Sequence, residues 1–163
     1  MVTKRQAVVE ERSVDAKRPL RAICVGAGIS GILTSIRFPQ RIPNLDLQIY
    51  EKNPDIGGTW FENKYPGCAC GMPMNFLLKK GSLYCLDIPA HTYQLTFEPN
   101  LDWPKFYASS KDIHKYWKKV VAKYGCMKYI KLQHQIVEAR WIAEESKWHV
   151  QVSTPTPTLL RPC

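Results

Sequence analysis

An α/β fold of the Rossmann type, with a parallel sheet and helices, is predicted by three features near the start of the chain. Residues 21–25 form a short apolar run typical of a buried parallel strand. Three glycines with G-x-G-x-x-G spacing follow at 26–31. A second apolar segment, 45–50, ends immediately before the acidic residue Glu51. Strand, glycine turn, helix, strand and acid in this order predict a dinucleotide-binding βαβ unit.

The glycine turn is suited to a pyrophosphate. Gly26 permits the tight turn, Gly28 lets the backbone approach the anion, and Gly31 lets the following helix lie close to the strand. The free N–H groups and the positive dipole end of that helix would face the phosphate. The helix itself is predicted by apolar residues at helical spacing: Ile29, Ile32, Leu33 and Ile36.

The acidic residue indicates which dinucleotide fits. Glu51 stands at the carboxyl end of the second predicted strand, where its carboxylate can accept hydrogen bonds from a ribose diol. A negative charge there repels the 2′-phosphate of NADP. The unit is therefore expected to bind the ADP moiety of FAD or NAD. The alternative is a glycine-rich turn followed by an incidental glutamate.

Length and charge limit the class of protein. The 163 residues, 45% of them hydrophobic, suit one soluble domain with a real core. The formal net charge is +9, spread along the chain without a basic run. A nucleic-acid or other acidic partner is one interpretation. A phosphate-binding domain whose compensating acidic surface lies elsewhere is favoured, so no nucleic-acid partner is expected.

Residues 1–19 are polar, lack the apolar core of a secretory signal and are predicted to form a flexible arm. No apolar run is long enough to span a membrane, so a cytoplasmic protein is expected. The six cysteines are expected to be reduced thiols. Because Cys68, Cys70, Cys85 and His91 match no strong zinc-ligand spacing, no metal is expected.

A second glycine segment follows the acid. Residues 57–60 read Gly-Gly-Thr-Trp and residues 65–67 read Tyr-Pro-Gly. Together with Glu51 they resemble the flavin-dependent monooxygenases of the Baeyer–Villiger type, most of all the fungal members in secondary metabolism. The resemblance covers roughly residues 19–152 and implies the amino-terminal part of a Rossmann-like FAD-binding domain. The alternative for Trp60 and its aromatic neighbours is a purely structural core role.

The resemblance also implies which residues meet the cofactors. The Gly-Gly-Thr-Trp segment and the residues after it would line the isoalloxazine and the ribityl-phosphate tail. Residues 69–70 would lie near the nicotinamide, and backbone at Ile136 would meet the adenine. No catalytic acid, base or nucleophile is identified in the sequence. The predicted cofactor-binding residues are Gly26, Gly28, Ile29, Ser30, Gly31, Glu51, Lys52, Gly58, Thr59, Trp60, Phe61, Glu62, Ala69, Cys70, Asp87, Ile88, Tyr93 and Ile136.

Residues 71–86 interrupt the family pattern, which runs directly from a Pro-Gly-x-x-Cys-like stretch into Asp-Ile/Val-Pro. Here sixteen residues separate Cys70 from Asp87. We predict that they are a translated intron, because sixteen codons make forty-eight bases and preserve the reading frame. Residues 71–72 can be encoded GGT-ATG, which contains a splice donor, and 86–87 can be encoded TTA-GAC, which contains an acceptor. A genuine apolar lid is the alternative.

The carboxyl-terminal part predicts one helix, a strand and a hairpin, and the resemblance implies that the strands form a small β-meander. Apolar residues at helical spacing predict an amphipathic helix over 110–124, capped by Ser109 or Ser110 and stopped by Gly125, with its lysines on a solvated face. Residues 130–137 are predicted to form a strand, followed by a hairpin of 138–141 and 147–152. Three prolines in 153–163 predict an unstructured tail, so the predicted domain spans 20–152.

The resemblance implies an FAD-dependent monooxygenase that oxygenates a ketone-bearing small molecule, in secondary-metabolite biosynthesis. In the full-length family NADPH reduces the flavin through a second glycine fingerprint. The only glycine after Gly81 in this sequence is Gly125, so the chain is expected to be truncated and inactive alone. A non-catalytic FAD- or partner-binding remnant is the alternative, and half of an NAD-dependent dehydrogenase is a weaker third. Replacing Glu51 with alanine should weaken FAD binding by about 1–3 kcal/mol, and Gly28→Val should weaken it more.

Overall fold

The computed structural model describes residues 13, 18–65, 68, 71–73 and 85–154, with the backbone alone at 71–73 and 85–87. Strands and helices alternate in the first part of the chain, and a hairpin follows in the last part. The elements are β1 (Leu20–Val25), α1 (Ile29–Arg41), β2 (Leu45–Tyr50), α2 (Thr59–Glu62), β3 (Gly71–Pro73), β4 (Cys85–Asp87), a 3-10 helix (Ala90–Tyr93), α3 (Ser110–Lys123), a second 3-10 helix (Cys126–Tyr129), β5 (Ile130–Lys131), β6 (Gln135–Ile142) and β7 (Lys147–Ser153).

The predicted βαβ unit is confirmed. Strands β1, β2 and β5 form a parallel sheet in the order β1-β2-β5, and α1 connects β1 to β2. Val25 pairs with Tyr50, so both strands end at the same edge of the sheet. The glycine turn that follows β1 and the Glu51 that follows β2 therefore lie side by side. This is the edge at which open α/β sheets bind their ligands.

Helix α3 contributes several buried side chains to the apolar core. Ser109 caps it in a capping box: its hydroxyl accepts from the backbone N–H of Asp112, whose carboxylate accepts from the backbone N–H of Ser109. Ile113, Trp117 and Val120 form the fully buried stripe of the helix, within one apolar cluster that also includes residues of α1 and β2. The predicted helix and its serine cap are confirmed.

The stretch predicted as one strand over 130–137 is broken, and this part of the sequence prediction is wrong. Only Ile130 and Lys131 extend the parallel sheet, before a turn in which Gln133 has a φ of 58°. The N–H groups of Gln133 and His134 donate to the carbonyls of Asn53 and Glu51, at 3.0 and 2.8 Å. The turn thus binds the loop after β2 instead of continuing a ladder. In the part of the chain that the structure describes, β6 and β7 form the predicted hairpin as a two-stranded antiparallel sheet.

One face of the parallel sheet is open. Ile23 and Val25 of β1 are 50% and 70% exposed, so the prediction of a buried strand over 21–25 is wrong on this face. Together with hairpin residues that include Trp141 and Trp148, this face lines a groove of about 930 Å³. The two indole rings are 5.7 Å apart in an edge-to-face arrangement.

The predicted insertion is only partly described. Its ends are adjacent, because β3 and β4 are antiparallel and Gly71 pairs with Asp87. Strand β7 continues to Ser153, one residue beyond the predicted end of the domain. Most of the predicted arm, and residues 155–163 of the predicted tail, lie outside the described residues.

Candidate functional site

The first glycine turn has the geometry of an anion-binding loop. Gly26 has a φ of 88°, which favours glycine, and its N–H donates to the carbonyl of Tyr50 at 2.8 Å. A Cβ on Gly31 would collide with the carbonyl oxygen of Gly26, so only glycine lets α1 pack this closely on the turn. Gly28 is the N-cap of α1, with no side-chain hydrogen bond capping the helix. The first backbone N–H groups of α1 lack intrahelical partners and can donate to a phosphate.

The Glu51 carboxylate lies beside this turn and is only 3% exposed. Its Oε2 accepts from the backbone N–H of Ala27 at 2.7 Å, and its Oε1 accepts from the N–H of Asn53 at 2.9 Å. Each carboxylate oxygen has a second lone pair, so the side chain can still accept from a ribose hydroxyl. The residue predicted to hold the ribose also fixes the glycine turn against the end of β2.

The second glycine turn packs directly on the first. The N–H of Gly57 donates to the carbonyl of Ala27 at 3.0 Å. A Cβ on Gly58 would lie 3.1 Å from the Cα of Gly28, and a Cβ on Gly28 would lie 3.8 Å from the Cα of Gly58. Gly57 and Gly58 both have positive φ, at 118° and 54°. The two turns approach at glycine Cα atoms, which leaves backbone in place of side chains on the surface between them.

Aromatic residues follow the second turn. The ring of Trp60 on α2 meets the ring of Tyr93 edge to face, with centroids 4.9 Å apart. The hydroxyl of Ser110, at the start of α3, donates to the carbonyl of Trp60 at 3.2 Å. Two residues assigned to the cofactor from distant parts of the sequence, Trp60 and Tyr93, are therefore in contact.

Two other predicted site residues pair with each other. The Nζ of Lys52 is 2.8 Å from Oε1 of Glu62, which also accepts from the side-chain amide of Asn53 at 2.8 Å. The hydrogen bond from Asn53, followed by that from Lys52, lowers the pKa of the Glu62 carboxyl. The hydrogen bond to Glu62 raises the pKa of Lys52. Both groups stay charged at neutral pH, and the pair connects the loop after Glu51 to α2.

For several other predicted cofactor-binding residues, the structure gives less information about their position relative to the two glycine turns. Ile88 is 37% exposed, and Asp87 belongs to β4. Ile136 lies on β6, two residues after His134, whose N–H binds the carbonyl of Glu51. The start of β6 is therefore held near the acidic end of β2. Ala69 and Cys70 lie outside the described residues.

Sequence reasoning missed a polar cluster that joins α3 to the second glycine turn. The Nζ of Lys118 is 2.8 Å from Oδ2 of Asp55, and Nε2 of His114 is 2.8 Å from the carbonyl oxygen of Ile56. The helical pattern predicts a solvated face for Lys118 and gives no role to His114. The four-residue spacing of the two basic side chains, which places them on one face of the helix, was the available signal.

Cys24 and Cys126 offer no activated thiolate. Burial is the first cause that raises the pKa of Cys24 and of Cys126, which favours the neutral thiol in both. Across the described ranges, no group of histidine, cysteine, aspartate and glutamate side chains could hold a metal ion. No helix within those ranges has the length and apolar character needed to cross a membrane.

Comparison with known proteins places this geometry in a family. Residues 24–110 match the family described as NAD(P)-binding Rossmann-like domain. The chain is 36% identical over 137 residues to the FAD-binding monooxygenase tazF of Aspergillus terreus, covering 83% of this chain and 22% of that protein. It is 27% identical over 139 residues to a Baeyer–Villiger monooxygenase of Streptomyces coelicolor, covering 85% of this chain and 24% of that protein.

A solved structure has the same fold. The cyclohexanone monooxygenase from Rhodococcus sp. Phi1 bound to NADP⁺ superposes with a TM-score of 0.63 at 22% identity, over 83% of this chain and 23% of that chain. The chain thus spans less than a quarter of the length of these relatives. The resemblance predicted from the glycine segments is confirmed.

Proposed function

Because the chain belongs to the family of NAD(P)-binding Rossmann-like domains, we propose that it forms the FAD-binding part of a Baeyer–Villiger type monooxygenase. The observation that carries the proposal is the contact between two glycine turns beside a buried carboxylate. A Cβ on Gly28 would lie 3.8 Å from the Cα of Gly58, and Glu51 binds the backbone of the first turn. This arrangement offers backbone donors and a hydroxyl acceptor in one place.

The residues present fit an ADP-containing cofactor. The uncapped start of α1 would bind the pyrophosphate through backbone N–H groups. Glu51 would bind the adenosine ribose, and its negative charge disfavours a 2′-phosphate. Methyl groups on Gly28 or Gly58 would fill the surface between the two turns.

The second glycine turn favours FAD over NAD. A Rossmann unit that binds only an ADP moiety needs no more than the first glycine turn and the acidic residue after the second strand. Here the chain returns after Glu51, and Gly57 binds the backbone of the first turn at Ala27. Trp60 and Tyr93 extend this surface with aromatic rings in contact. We propose that the flavin half of FAD lies along this side.

When bound, FAD would supply the redox chemistry, in which NADPH provides the electrons and one oxygen atom of O₂ enters beside the carbonyl of a ketone. The chain's own residues would bind and orient. The acidic groups around the two turns are already occupied: Glu51 by backbone N–H groups, Glu62 by Lys52 and Asn53. Positioning and electrostatics, not proton transfer, are the part that these residues play. A ketone-bearing small molecule of secondary metabolism is the proposed substrate class of the whole enzyme.

Titration calorimetry of the purified chain with FAD, ADP and NAD tests the proposal, with the visible absorption of flavin as a second readout. FAD should bind more tightly than ADP, and ADP should still bind. Equal affinity for FAD and ADP would show that the second turn makes no contact with the flavin half. Absence of binding by all three ligands would overturn the proposal.

A non-catalytic FAD-binding protein is the second candidate. It is favoured by the same geometry, because the described residues provide a binding surface whose acidic groups are held in structural interactions. NADPH consumption with a ketone substrate, measured on the FAD-loaded chain, tests this candidate. Sustained consumption would overturn it, whereas FAD binding without consumption is expected of both functions, because the FAD-binding part alone is expected to be inactive.

A further inference from the structure

The imidazole of His114 connects helix α3 to the second glycine turn. Its Nε2 lies 2.8 Å from the carbonyl oxygen of Ile56. A carbonyl only accepts hydrogen bonds, so Nε2 must carry the proton. A Cβ on Gly57 would lie 2.6 Å from Cδ2 of the same ring, and the ring of Phe61 is 5.8 Å away. The imidazole therefore occupies the space beside Gly57 that a side chain would need.

A second connection joins Asp55 to Lys118, which lies one helical turn after His114 on α3. The Oδ2 of Asp55 lies 2.8 Å from Nζ of Lys118 and 3.7 Å from Nε2 of His114. Its Oδ1 accepts from the N–H of Ile56 at 2.9 Å. Burial acts to raise the pKa of this carboxyl, but the hydrogen bonds from Lys118 and Ile56 outweigh it, so the pKa is lowered. Asp55 is therefore an anion at neutral pH, bound by Lys118 and by the N–H of Ile56.

On the side away from α3, the second glycine turn packs against the first glycine turn. Gly57 donates to the carbonyl of Ala27, and Gly58 meets Gly28 at its Cα. Residues 55–58 thus lie between α3 and the phosphate-binding turn. A shift of the turn away from α3 would change the distance between Gly58 and Gly28, because the two contacts act on adjacent peptide units.

We propose that His114 is a positioning residue for FAD, which acts through Ile56 and Gly57 to set the gap between the two glycine turns. The inference rests on the proposed function, in which the flavin half of FAD lies along the second turn. A ligand that meets only the first turn and Glu51, such as ADP, does not report on that gap. FAD does report on it, since small displacements of a binding surface reduce affinity strongly.

The test compares FAD and ADP affinities in three variants by titration calorimetry. His114→Phe keeps a ring beside Gly57 and removes the donor, whereas His114→Gln keeps an N–H donor on a flexible side chain. Lys119→Met, at an exposed position on the same helix, is the control for changes to α3. In His114→Phe the FAD dissociation constant should rise about three- to tenfold, the loss expected for one hydrogen bond. ADP affinity should stay within about twofold of that of the wild type, and His114→Gln should recover part of the FAD affinity.

A ligand-free measurement separates positioning from general destabilisation. The amide of Gly57 donates to Ala27, and the amide of Gly26 donates to Tyr50 within the βαβ unit. Hydrogen exchange followed by NMR should show faster exchange at Gly57 in His114→Phe, with Gly26 unchanged. Equal acceleration at both amides, equal loss of FAD and ADP binding, or unchanged FAD affinity would each overturn the inference. A wild-type chain that binds ADP but not FAD would overturn the proposed function, while the exchange result alone decides whether His114 holds the turn.

Discussion

The carboxylate of Glu51 accepts a hydrogen bond of 2.7 Å from the backbone N–H of Ala27, the residue between the first two glycines of the first turn. This bond joins the end of β2 to the loop that follows β1. Since its second oxygen binds the N–H of Asn53, the side chain stabilises the fold in addition to its proposed role toward ribose. Loss of the carboxylate would leave two backbone donors, one of them in a buried hydrogen bond, without their acceptor.

Glu51→Ala should therefore lower stability even without ligand. We expect a loss of about 1–3 kcal/mol in the free energy of unfolding, the range for leaving buried polar groups unpaired. Urea unfolding of the ligand-free chain measures it. The exposed Glu144 offers a matched control, since Glu144→Ala should leave the urea midpoint unchanged. Equal midpoints for wild type and Glu51→Ala would contradict the structural role of this carboxylate.

Gly28→Ala should affect binding without affecting the fold. The added Cβ would lie 3.8 Å from the Cα of Gly58, an ordinary contact, and Gly28 has a φ of −75° that alanine adopts freely. The methyl group would nevertheless stand where the pyrophosphate approaches the backbone. We expect a melting temperature close to that of the wild type and at least tenfold weaker FAD binding, with Gly28→Val weaker still. Unchanged FAD affinity in both variants would contradict the assignment of this turn to the phosphate.

Gly31→Ala, unlike Gly28→Ala, should lower the stability of the fold. Its Cβ would collide with the carbonyl oxygen of Gly26, so α1 must move away from the turn. Overpacking of this kind costs about 1–3 kcal/mol or more. Gly125→Ala is the control, because Gly125 has a φ of 61° with open space around it and only the backbone strain of about 1–2 kcal/mol applies. Thermal unfolding should rank Gly31→Ala as the less stable variant, and the reverse order would show that α1 relaxes without cost.

The pH dependence of stability should contain a contribution from Asp55. Its pKa is lowered from 3.8 in the folded chain, because the hydrogen bonds from Lys118 and Ile56 outweigh the effect of burial. A lowered pKa contributes stability that is present above the unfolded value and is lost as pH falls through the folded value. The difference in melting temperature between wild type and Asp55→Asn should be largest near neutral pH and should shrink below about pH 4. The control is Asp102→Asn, which removes a carboxylate from an exposed loop residue. A difference that grows on acidification would contradict the assigned direction.

The βαβ unit and α3 could be predicted because their determinants are local. Glycine spacing, apolar periodicity and the serine cap each act within a few residues of the element they specify. The break after Lys131 could not be predicted in this way. Apolar residues continue through 130–137, and the turn depends on Gln133 at positive φ and on bonds to Asn53 and Glu51, about eighty residues earlier.

The same reason explains why part of the candidate site was missed. Contact between His114 and Gly57 joins residues that are distant in sequence, and neither residue type suggests the other. By contrast, the family resemblance assigns both Trp60 and Tyr93 to the cofactor, although it does not predict that their rings are in contact. Motifs predict which backbone segments bind a ligand, whereas the residues that pack against those segments depend on the tertiary structure.

Residues 71–86 remain predicted to be a translated intron, and the described backbone places the first of them beside the residue that follows the last. Gly71 and Asp87 are paired across an antiparallel ladder, where opposite Cα atoms lie about 4.5–5.5 Å apart. A chain lacking 71–86 should fold, with a melting temperature no lower than that of the 163-residue chain, and should bind FAD more tightly because Cys70-Asp-Ile-Pro is restored. Sequencing of the transcript gives the direct result: messages that uniformly keep the forty-eight bases would refute the intron, and a deletion variant that fails to fold would favour a genuine lid.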